Sequence, residues 1–247
     1  DLVKHPRPLS THILDRNGNL LYKIYRNENR TKLTLFEIPL PAQQATIAIE
    51  DAEFYNHPGF SLRGILRAVQ KILTRGEVQG GSTITQQLVK NALLTNEKTF
   101  TRKIREVITA VRAELKYSKN EILAMYLNEV SYGGASYGIQ EASQFYFGRD
   151  AKDLTLAQAS LLAGLPGAPS KFSPLTNIEA AKERQTLVLD RMAQEGFITR
   201  PEADEAKAEK LQFASQKGPI KAPHFVMYVK QILAEKYGEQ YVEQGGL

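Results

Sequence analysis

Three carboxylates and a histidine occur within eight positions of this chain, directly after an apolar segment. Residues 50–59 read EDAEFYNHPG, and the preceding residues 45–49 read ATIAI. A carboxylate that lies against apolar side chains can have its pKa raised toward neutral pH and can then act as a general base. The same residues would suit a solvated turn, because acidic side chains are mostly exposed. Two interpretations follow: a catalytic base at Glu50, or a helix end with solvated acids and a structural His57.

A second polar segment, GGSTITQQ at residues 80–87, would place free backbone N–H groups at the start of a helix. Such groups, together with the helix dipole, attract anions. An ordinary capped helix start would need only the glycines with Ser82 or Thr83. Gln86 and Gln87, with Lys90 one turn later, add donors and a cation that a cap does not require.

The segment TRKIRE at residues 101–106 puts two cations and a carboxylate on one side of a predicted helix. Arg102 and Lys103 lie four and three residues before Glu106, so their side chains share a face. That face is opposite an apolar stripe formed by Ile104, Val107, Ile108, Val111 and Leu115. The charged face is either solvated, with ion pairs along the helix, or a pair of fixed cations that could hold a pyrophosphate.

Composition limits the classes of protein that this chain can represent. It has 247 residues, of which 42% are hydrophobic and 24% charged, as in ordinary globular proteins. A formal net charge of +5 favours an anionic partner. The chain has no cysteine, which excludes disulfides, thiolate metal sites and a cysteine nucleophile. No apolar run is long enough to span a membrane as a helix.

The elements that would position these residues are mainly helical. Residues 11–15 and 20–25 flank Asn17-Gly18, which predicts a β-hairpin with a type I′ turn. From residue 39 onward, apolar residues recur at helical spacing. Four S/T-x-x-E/Q patterns predict helix starts at Ser118…Glu121, Thr155…Gln158, Thr176…Glu179 and Thr199…Glu202. We therefore predict a mainly α fold with a short N-terminal β-hairpin.

One predicted helix, residues 62–76, carries cations at every fourth position and no acid on that face. These cations are Arg63, Arg67, Lys71 and Arg75. The opposite face is strongly apolar. The pattern fits an amphipathic core helix or a helix that lies in an anionic membrane interface.

Taken together, these segments resemble the peptidoglycan glycosyltransferase family (family 51), as found in class A penicillin-binding proteins. Five motifs of the family occur in order over about residues 42–195. They are Glu50-Asp51-x-x-Phe54-x-x-His57-x-Gly59, Gly81-x-Thr83-x-x-Gln86-Gln87, Arg102-Lys103-x-x-Glu106, Lys119-x-x-Ile122-Leu123-x-x-Tyr126-Leu127-Asn128 and Arg184-x-x-x-Val188-Leu189.

The resemblance implies a lysozyme-like helical main lobe with a smaller membrane-proximal jaw at about residues 60–80. We expect a hairpin segment over 1–38, the glycosyltransferase domain over 39–215, and a C-terminal helix over 216–247 that leads into a linker to a further domain. The family acts at the extracytoplasmic face of the bacterial cytoplasmic membrane, so we expect a membrane surface as partner and an N-terminal anchor outside this chain.

The implied reaction is polymerisation of lipid II into β-1,4-linked glycan, with inversion and release of undecaprenyl pyrophosphate. The family's two catalytic glutamates match Glu50, the general base, and Glu106. The expected substrate-binding residues are Asp51, Ser82, Thr83, Gln86, Gln87, Lys90, Lys98, Arg102, Lys103 and Asn128. Lys98 departs from the family, which commonly has arginine there, and the bidentate donor fork is thereby lost. Glu53 is expected to be exposed.

The family also implies Mg²⁺ or another divalent ion, although no ligand cluster is visible in the sequence, and no organic cofactor. Expected partners are lipid II, the growing glycan strand and phosphoglycolipid inhibitors of the moenomycin type, but not nucleic acid. Two alternatives remain. A lytic transglycosylase would share the helical lobe and the glutamate without needing the cations, and a non-enzymatic membrane- or nucleic-acid-binding module would explain only the basic charge.

Overall fold

The structure, a computed structural model, describes residues 2, 8–25, 28–61, 81–93, 99–214, 222–244 and 246–247. Its helices are α1 (Leu40–Glu50), α2 (Ile84–Leu93), α3 (Phe100–Lys116), α4 (Lys119–Glu129), α5 (Ile139–Phe147), α6 (Leu156–Gly164), α7 (Ile178–Gln194), α8 (Arg200–Ala208), α9 (Pro223–Tyr237) and α10 (Glu239–Gln244). Its strands are β1 (Thr11–Leu14), β2 (Leu20–Ile24), β3 (Asn29–Arg30), β4 (Ser131–Gly133) and β5 (Ser136–Tyr137). The predicted mainly α class is confirmed.

The N-terminal hairpin forms as predicted, but its turn is of a different type. β1 and β2 pair antiparallel, and Asp15 and Asn19 enclose a three-residue loop in which only Gly18 has a positive φ, of 83°. A type I′ turn would require Asn17 to have a positive φ as well. The carboxylate of Asp15 instead accepts the backbone N–H groups of Asn17 and Asn19, both at 2.8 Å. These bonds favour a type I turn followed by a bulge at Gly18.

Local capping signals predicted three of four helix starts correctly. Ser118, Thr155 and Thr199 each form a complete capping box at the start of α4, α6 and α8. The fourth prediction is wrong by one residue, because Asn177 rather than Thr176 caps α7. The Asn177 side chain accepts the backbone N–H of Ala180 at 3.1 Å, and asparagine is as good a cap as threonine.

Two layers of helices meet at the C-terminal end of α1. On one side, α1 packs against α6 and α7, and small buried residues such as Ala45, Ala48 and Ala163 let these helices approach closely. On the other side, α2 packs against both α3 and α4. The main core lies between these layers and includes Phe54. The last residue of α1, Glu50, is thereby placed between the two layers.

The hairpin and the C-terminal helices form a separate small cluster. Ile13 and Ile24 of the hairpin pack with Val226 of α9 and Val242 of α10. The backbone N–H of His12 donates to the carbonyl of Leu247 at 2.8 Å. The ends of the described chain are therefore held together.

Several expectations from the sequence concern residues outside the described ranges. The basic helix at 62–76 and nearly all of the jaw at 60–80 lie outside the described residues, as does Lys98. The C-terminal helical region is described from residue 222 and consists of two helices, α9 and α10. Within the described residues, no helix combines the length and the apolar character that crossing a bilayer requires.

Candidate active site

Glu50 is a largely buried carboxylate, 10% exposed, that is held by one amide and faced by one guanidinium. Gln87 of α2 donates from Nε2 to Glu50 Oε2 at 2.6 Å. Arg184 of α7 lies on the other side, with Nη2 4.0 Å from Glu50 Oε1. Burial raises the pKa of Glu50 above the ordinary glutamate value, although the hydrogen bond from Gln87 and the charges of Arg184 and Arg191 act in the opposite direction. A carboxylate with a raised pKa takes up a proton more readily, as a general base must.

The amide of Gln87 is itself held from the opposite side. Tyr126 of α4 donates from its hydroxyl to Gln87 Oε1 at 3.2 Å. Burial, and to a smaller extent the nearby charge of Glu50, hold the pKa of Tyr126 well above its ordinary value. The same two causes raise the pKa of Tyr132, which is also buried. Both tyrosines therefore remain protonated beside the carboxylate.

Helix α7 and the loop after α6 form one wall around Glu50. Arg184 Nε donates to the carbonyl of Gly164 at 3.3 Å, and Arg191 Nη1 donates to the carbonyl of Ile49 at 3.3 Å. A Cβ at Gly164 would lie 2.8 Å from Arg184 Cγ, so this position has no room for a side chain. A Cβ at Gly167 would lie 3.9 Å from Glu50 Oε1, which places this loop directly beside the carboxylate.

Asp51 and His57 join the end of α1 to the start of α2. Asp51 Oδ2 accepts the backbone N–H of Ile84 at 3.0 Å, and the carboxylate also contacts His57 Nε2 at 2.9 Å. His57 Nδ1 accepts the backbone N–H of Gly59 at 3.2 Å, so the ring proton lies on Nε2 and is donated to Asp51. Neighbouring Glu53 is half-buried and within 3.4 Å of Ser61 Oγ, so the expectation that it would be exposed is wrong.

Thr83 and Gln86 are buried and bonded to each other at the start of α2. Thr83 N donates to Gln86 Oε1 at 3.0 Å, and Gln86 N donates to Thr83 Oγ1 at 3.2 Å. The Thr83 hydroxyl donates to the carbonyl of Gly59 at 2.7 Å. These contacts form a capping box that fixes α2, and through α2 they position Ser82 and Gln87.

A second charged group lies where α2 begins and α3 passes. Glu106 is 1% exposed, and its two oxygens accept hydrogen bonds from Arg102 Nη1 at 2.9 Å and Lys103 Nζ at 2.5 Å. Lys103 also donates to Ser82 Oγ at 2.8 Å. Arg102 Nε is buried and has no hydrogen-bond partner among the described residues. The interpretation as a solvated face is therefore wrong for Glu106. The group carries one net positive charge, and Arg102 Nε is a buried donor available to a ligand.

Because Glu106 is buried, the face of α3 that packs against the protein is opposite to the face that its apolar periodicity predicts. Ile104 is 46% exposed, Ile108 48% and Leu115 85%. The buried face carries Glu106 with the small residues Ala110 and Ala113. The three exposed residues of the apolar stripe face outward, whereas Val107 and Val111 are half-buried.

Two other predicted residues stand apart from these groups. Asn128 uses both ends of its amide to hold Leu33, accepting its N–H at 2.8 Å and donating to its carbonyl at 2.8 Å. A further bond joins Asn128 to the carbonyl of Ala124 at 2.7 Å. Lys90 is exposed on α2, one turn after Gln87. The structure thus brings together Glu50 with Gln87 of α2, and the Glu106 group with Ser82 just before α2 begins.

Sequence reasoning assigned no role to Tyr126, Arg184 or Arg191. Tyr126 and Arg184 belong to the fourth and fifth motifs, and this membership was the only sign of their importance. Arg184 and Arg191 are seven residues apart, which places both on one face of α7. Two arginines on the face that also buries Val188 would have been a usable signal.

A model of the transglycosylase family matches residues 17–193 of this chain. The chain belongs to the transglycosylase family. Membership confirms the resemblance to the peptidoglycan glycosyltransferases that the five motifs indicate. Penicillin-binding protein 1F of Bacillus subtilis (strain 168) is 42% identical over 243 residues, which are 96% of this chain and 34% of that protein. Penicillin-binding protein 1A of Vibrio cholerae is 40% identical over 238 residues, 95% of this chain and 29% of that protein.

A solved structure supports the fold of this transglycosylase chain. The crystal structure of penicillin-binding protein 1A from Haemophilus influenzae matches with a TM-score of 0.53 and 23% identity, over 98% of this chain and 26% of that chain. At this identity the likeness concerns the fold alone. The chain spans about a third of the length of the curated relatives that it matches.

The residues of this transglycosylase chain fit the divalent ion expected for the family poorly. Within the ranges that the structure describes, no three His, Asp or Glu side chains come together as metal ligands. Both oxygens of Glu106 already accept hydrogen bonds from cations, which would repel a dication. Mg²⁺ is often held largely by substrate phosphates rather than by protein side chains.

Proposed function

We propose that this transglycosylase domain polymerises lipid II, with Glu50 as general base. One observation carries the proposal: Gln87 of α2 holds a largely buried carboxylate with a raised pKa, and Ser82, just before α2 begins, is bonded to a group of fixed cations. A sugar hydroxyl is a poor nucleophile and needs a positioned base. A departing pyrophosphate needs positive charge where its own charge develops. A glycan-cleaving enzyme would need the carboxylate but not the cations.

In the proposed reaction, the acceptor's GlcNAc 4-hydroxyl attacks the anomeric carbon of the donor's MurNAc. Glu50 takes the hydroxyl proton as the new C–O bond forms. The bond from the anomeric carbon to the pyrophosphate oxygen breaks, and undecaprenyl pyrophosphate leaves with the electron pair. Attack from the face opposite the leaving group inverts the anomeric carbon and gives the β-1,4 bond. General-base assistance of this kind contributes about 10²- to 10⁴-fold to the rate.

The pyrophosphate would bind at Arg102, Lys103 and Ser82, with exposed Lys90 adding charge. Arg102 Nε is a buried donor without a partner in the described part of the chain, and buried donors are rarely left unpaired. Glu106 orients the two cations by holding one on each oxygen. We assign Lys98 to the same pyrophosphate by family resemblance alone, and moenomycin-type phosphoglycolipids to the same cations through their phosphate.

The outward face of α3 supports the expected membrane surface as partner. Its exposed apolar residues Ile104, Ile108 and Leu115 are flanked by exposed Arg105 and Arg112. Apolar side chains beside cations favour an anionic lipid interface. This face belongs to the helix that carries Glu106, so a lipid-linked substrate could keep its tail in the bilayer while its pyrophosphate reaches the cations. We place the protein at the extracytoplasmic face of that membrane by family resemblance alone.

The test is polymerisation of labelled lipid II in detergent with Mg²⁺, with a parallel sample in a chelator. We expect long glycan from the wild type and a loss of about 10²- to 10⁴-fold in Glu50→Gln, with lipid II binding retained in both. Glu121→Gln is the matched control, because Glu121 is an exposed capping residue in the first turn of α4 and makes no bond to Glu50 or Gln87. Polymerisation by Glu50→Gln at the wild-type rate would refute the assignment of the base. Soluble fragments from preformed glycan would favour the lytic alternative.

A further inference from the structure

Three helices contribute one residue each to a line of hydrogen bonds that ends on the proposed base. Tyr126 of α4 donates to the oxygen of the Gln87 amide at 3.2 Å, and the nitrogen of the same amide donates to Glu50 at 2.6 Å. Tyr126 is fully buried, so its ring is fixed by packing. Each donor in this line points toward the carboxylate.

The direction of these bonds has a physical consequence. A glutamine amide is a donor at one end and an acceptor at the other, and rotation by half a turn exchanges them. With its oxygen toward Glu50, the Gln87 amide would face a carboxylate with a second acceptor. A donor behind the oxygen holds the amide with its N–H groups toward Glu50, and bonds aligned in one direction strengthen each other in a low-dielectric interior.

We propose that Tyr126 is a positioning residue that acts through Gln87 to keep an N–H donor on the Glu50 carboxylate. The proposal rests on the proposed function insofar as Glu50 is the base. Tyr126 does not touch the substrate in this scheme. Gln87, which the family resemblance assigns to substrate binding, acts here on the base itself.

The bond from Gln87 favours the ionised form of Glu50. Removing the Tyr126 hydroxyl leaves the Gln87 oxygen without its donor, and the amide then loses its fixed orientation. The pKa of Glu50 therefore rises in Tyr126→Phe. A net contribution of about 1 kcal/mol for one hydrogen bond corresponds to at most about a fivefold loss in kcat, reached at pH values below the folded pKa of Glu50, with KM unchanged.

The decisive experiment is a ¹³C NMR titration of the Glu50 carboxyl, assigned by its absence from Glu50→Gln. We expect the titration of Tyr126→Phe to move to higher pH. Tyr146→Phe is the matched control, because Tyr146 is also buried and its hydroxyl donates to the backbone carbonyl of Tyr132 at 2.9 Å, outside the Gln87 line. Its titration should coincide with that of the wild type.

A double-mutant cycle tests whether the effect passes through Gln87. In a Gln87→Leu background, Tyr126→Phe should produce no further change in the Glu50 titration. A wild-type titration in Tyr126→Phe would overturn the proposal, and so would a shift that persists without Gln87. The NMR measurement requires no turnover, so a wild type that fails to polymerise lipid II would refute the proposed function and leave this result standing.

Discussion

Replacing Glu50 by glutamine should stabilise the folded protein by an amount that increases with pH. Burial raises the pKa of Glu50 in the folded chain above the ordinary glutamate value of 4.5. The folded protein therefore holds this proton at pH values where the unfolded chain has released it. Where the folded state binds more protons, the free energy of unfolding falls as pH rises. Glutamine cannot ionise, so the variant avoids this loss.

The contributions that raise and lower the pKa of Glu50 can be compared. A hydrogen bond to a charged group contributes about 1.5–3 kcal/mol. A charge at 4.0 Å, the distance between Arg184 and Glu50, contributes about 4 kcal/mol at an effective dielectric constant of 20. Removing an ion from water costs several kcal/mol. The raised pKa means that burial outweighs the stabilising contacts. Each pH unit between the two pKa values then adds up to about 1.4 kcal/mol to the advantage of the variant.

The assay is urea unfolding of the wild type and Glu50→Gln between about pH 4 and pH 8, with the difference in unfolding free energy taken at each pH. The difference should grow from the ordinary glutamate range upward and become constant above the folded pKa of Glu50. The other titrating groups are common to the wild type and the variant, so their contributions to the difference cancel. The pH at which the difference becomes constant measures the folded pKa.

Glu121→Gln is a control of opposite sign. Hydrogen bonds from the backbone and side chain of Ser118 lower the pKa of Glu121. The stabilisation that ionised Glu121 provides is present above the ordinary glutamate range and is lost as pH falls through its folded pKa. The free energy of unfolding of the wild type should therefore rise relative to that of Glu121→Gln as pH rises. A difference between Glu50→Gln and wild type that stays constant over the whole pH range would refute the reasoning about burial.

Three further changes test the rest of the site. Glu106→Gln should lower the free energy of unfolding in urea by about 2 kcal/mol. This loss is smaller than for a fully buried ion pair, because the side chain of Lys103 is 43% exposed. Full polymerisation activity of this variant would contradict the proposal that Glu106 orients the two cations. Gly164→Ala forces Arg184 away from Glu50, so the polymerisation rate should fall about tenfold. The added methyl group should also cost about 1–3 kcal/mol in the free energy of unfolding. An unchanged kcat would contradict a role of Arg184 beside the base. Asn128→Leu leaves backbone groups unpaired and should cost about 2–3 kcal/mol in thermal or urea unfolding, while a raised KM for lipid II would instead support substrate binding by Asn128.

Features that depend on neighbouring residues could be predicted from the sequence. Capping boxes at Ser118, Thr155 and Thr199 need only residues three positions apart, and they fix the helix starts as expected. The competition between Thr176 and Asn177 could not be resolved in this way, because both are good caps. The turn was misassigned for a similar reason, since the carboxylate of Asp15 decides its type.

Contacts between distant residues could not be predicted. The motifs identify Glu50 and Gln87 as important, but the bond between them joins positions 37 residues apart. Arg191 reaches the carbonyl of Ile49 across 142 positions. Residue types and spacing within one helix carry no information about which helix lies opposite. Motif membership therefore gave the residues of the site, and only the packing of α1, α2, α4 and α7 shows which of them act on the carboxylate.

The orientation of α3 shows where periodicity fails for a physical reason. An apolar stripe predicts the buried face of a helix when the polar side chains of the opposite face are solvated. Here Glu106 is neutralised by Arg102 and Lys103 on both oxygens, so its burial costs far less than that of an isolated carboxylate. With Ala110 beside it, the face is small enough to pack closely. Three residues of the stripe, Ile104, Ile108 and Leu115, can then face outward, toward the membrane surface that we propose as partner. If this account is correct, replacing Ile108 by glutamine, which removes the apolar side chain without adding a cation, should leave the free energy of unfolding nearly unchanged and weaken binding to anionic vesicles. A loss of about 3 kcal/mol or more in stability would mean that the side chain of Ile108 is packed after all.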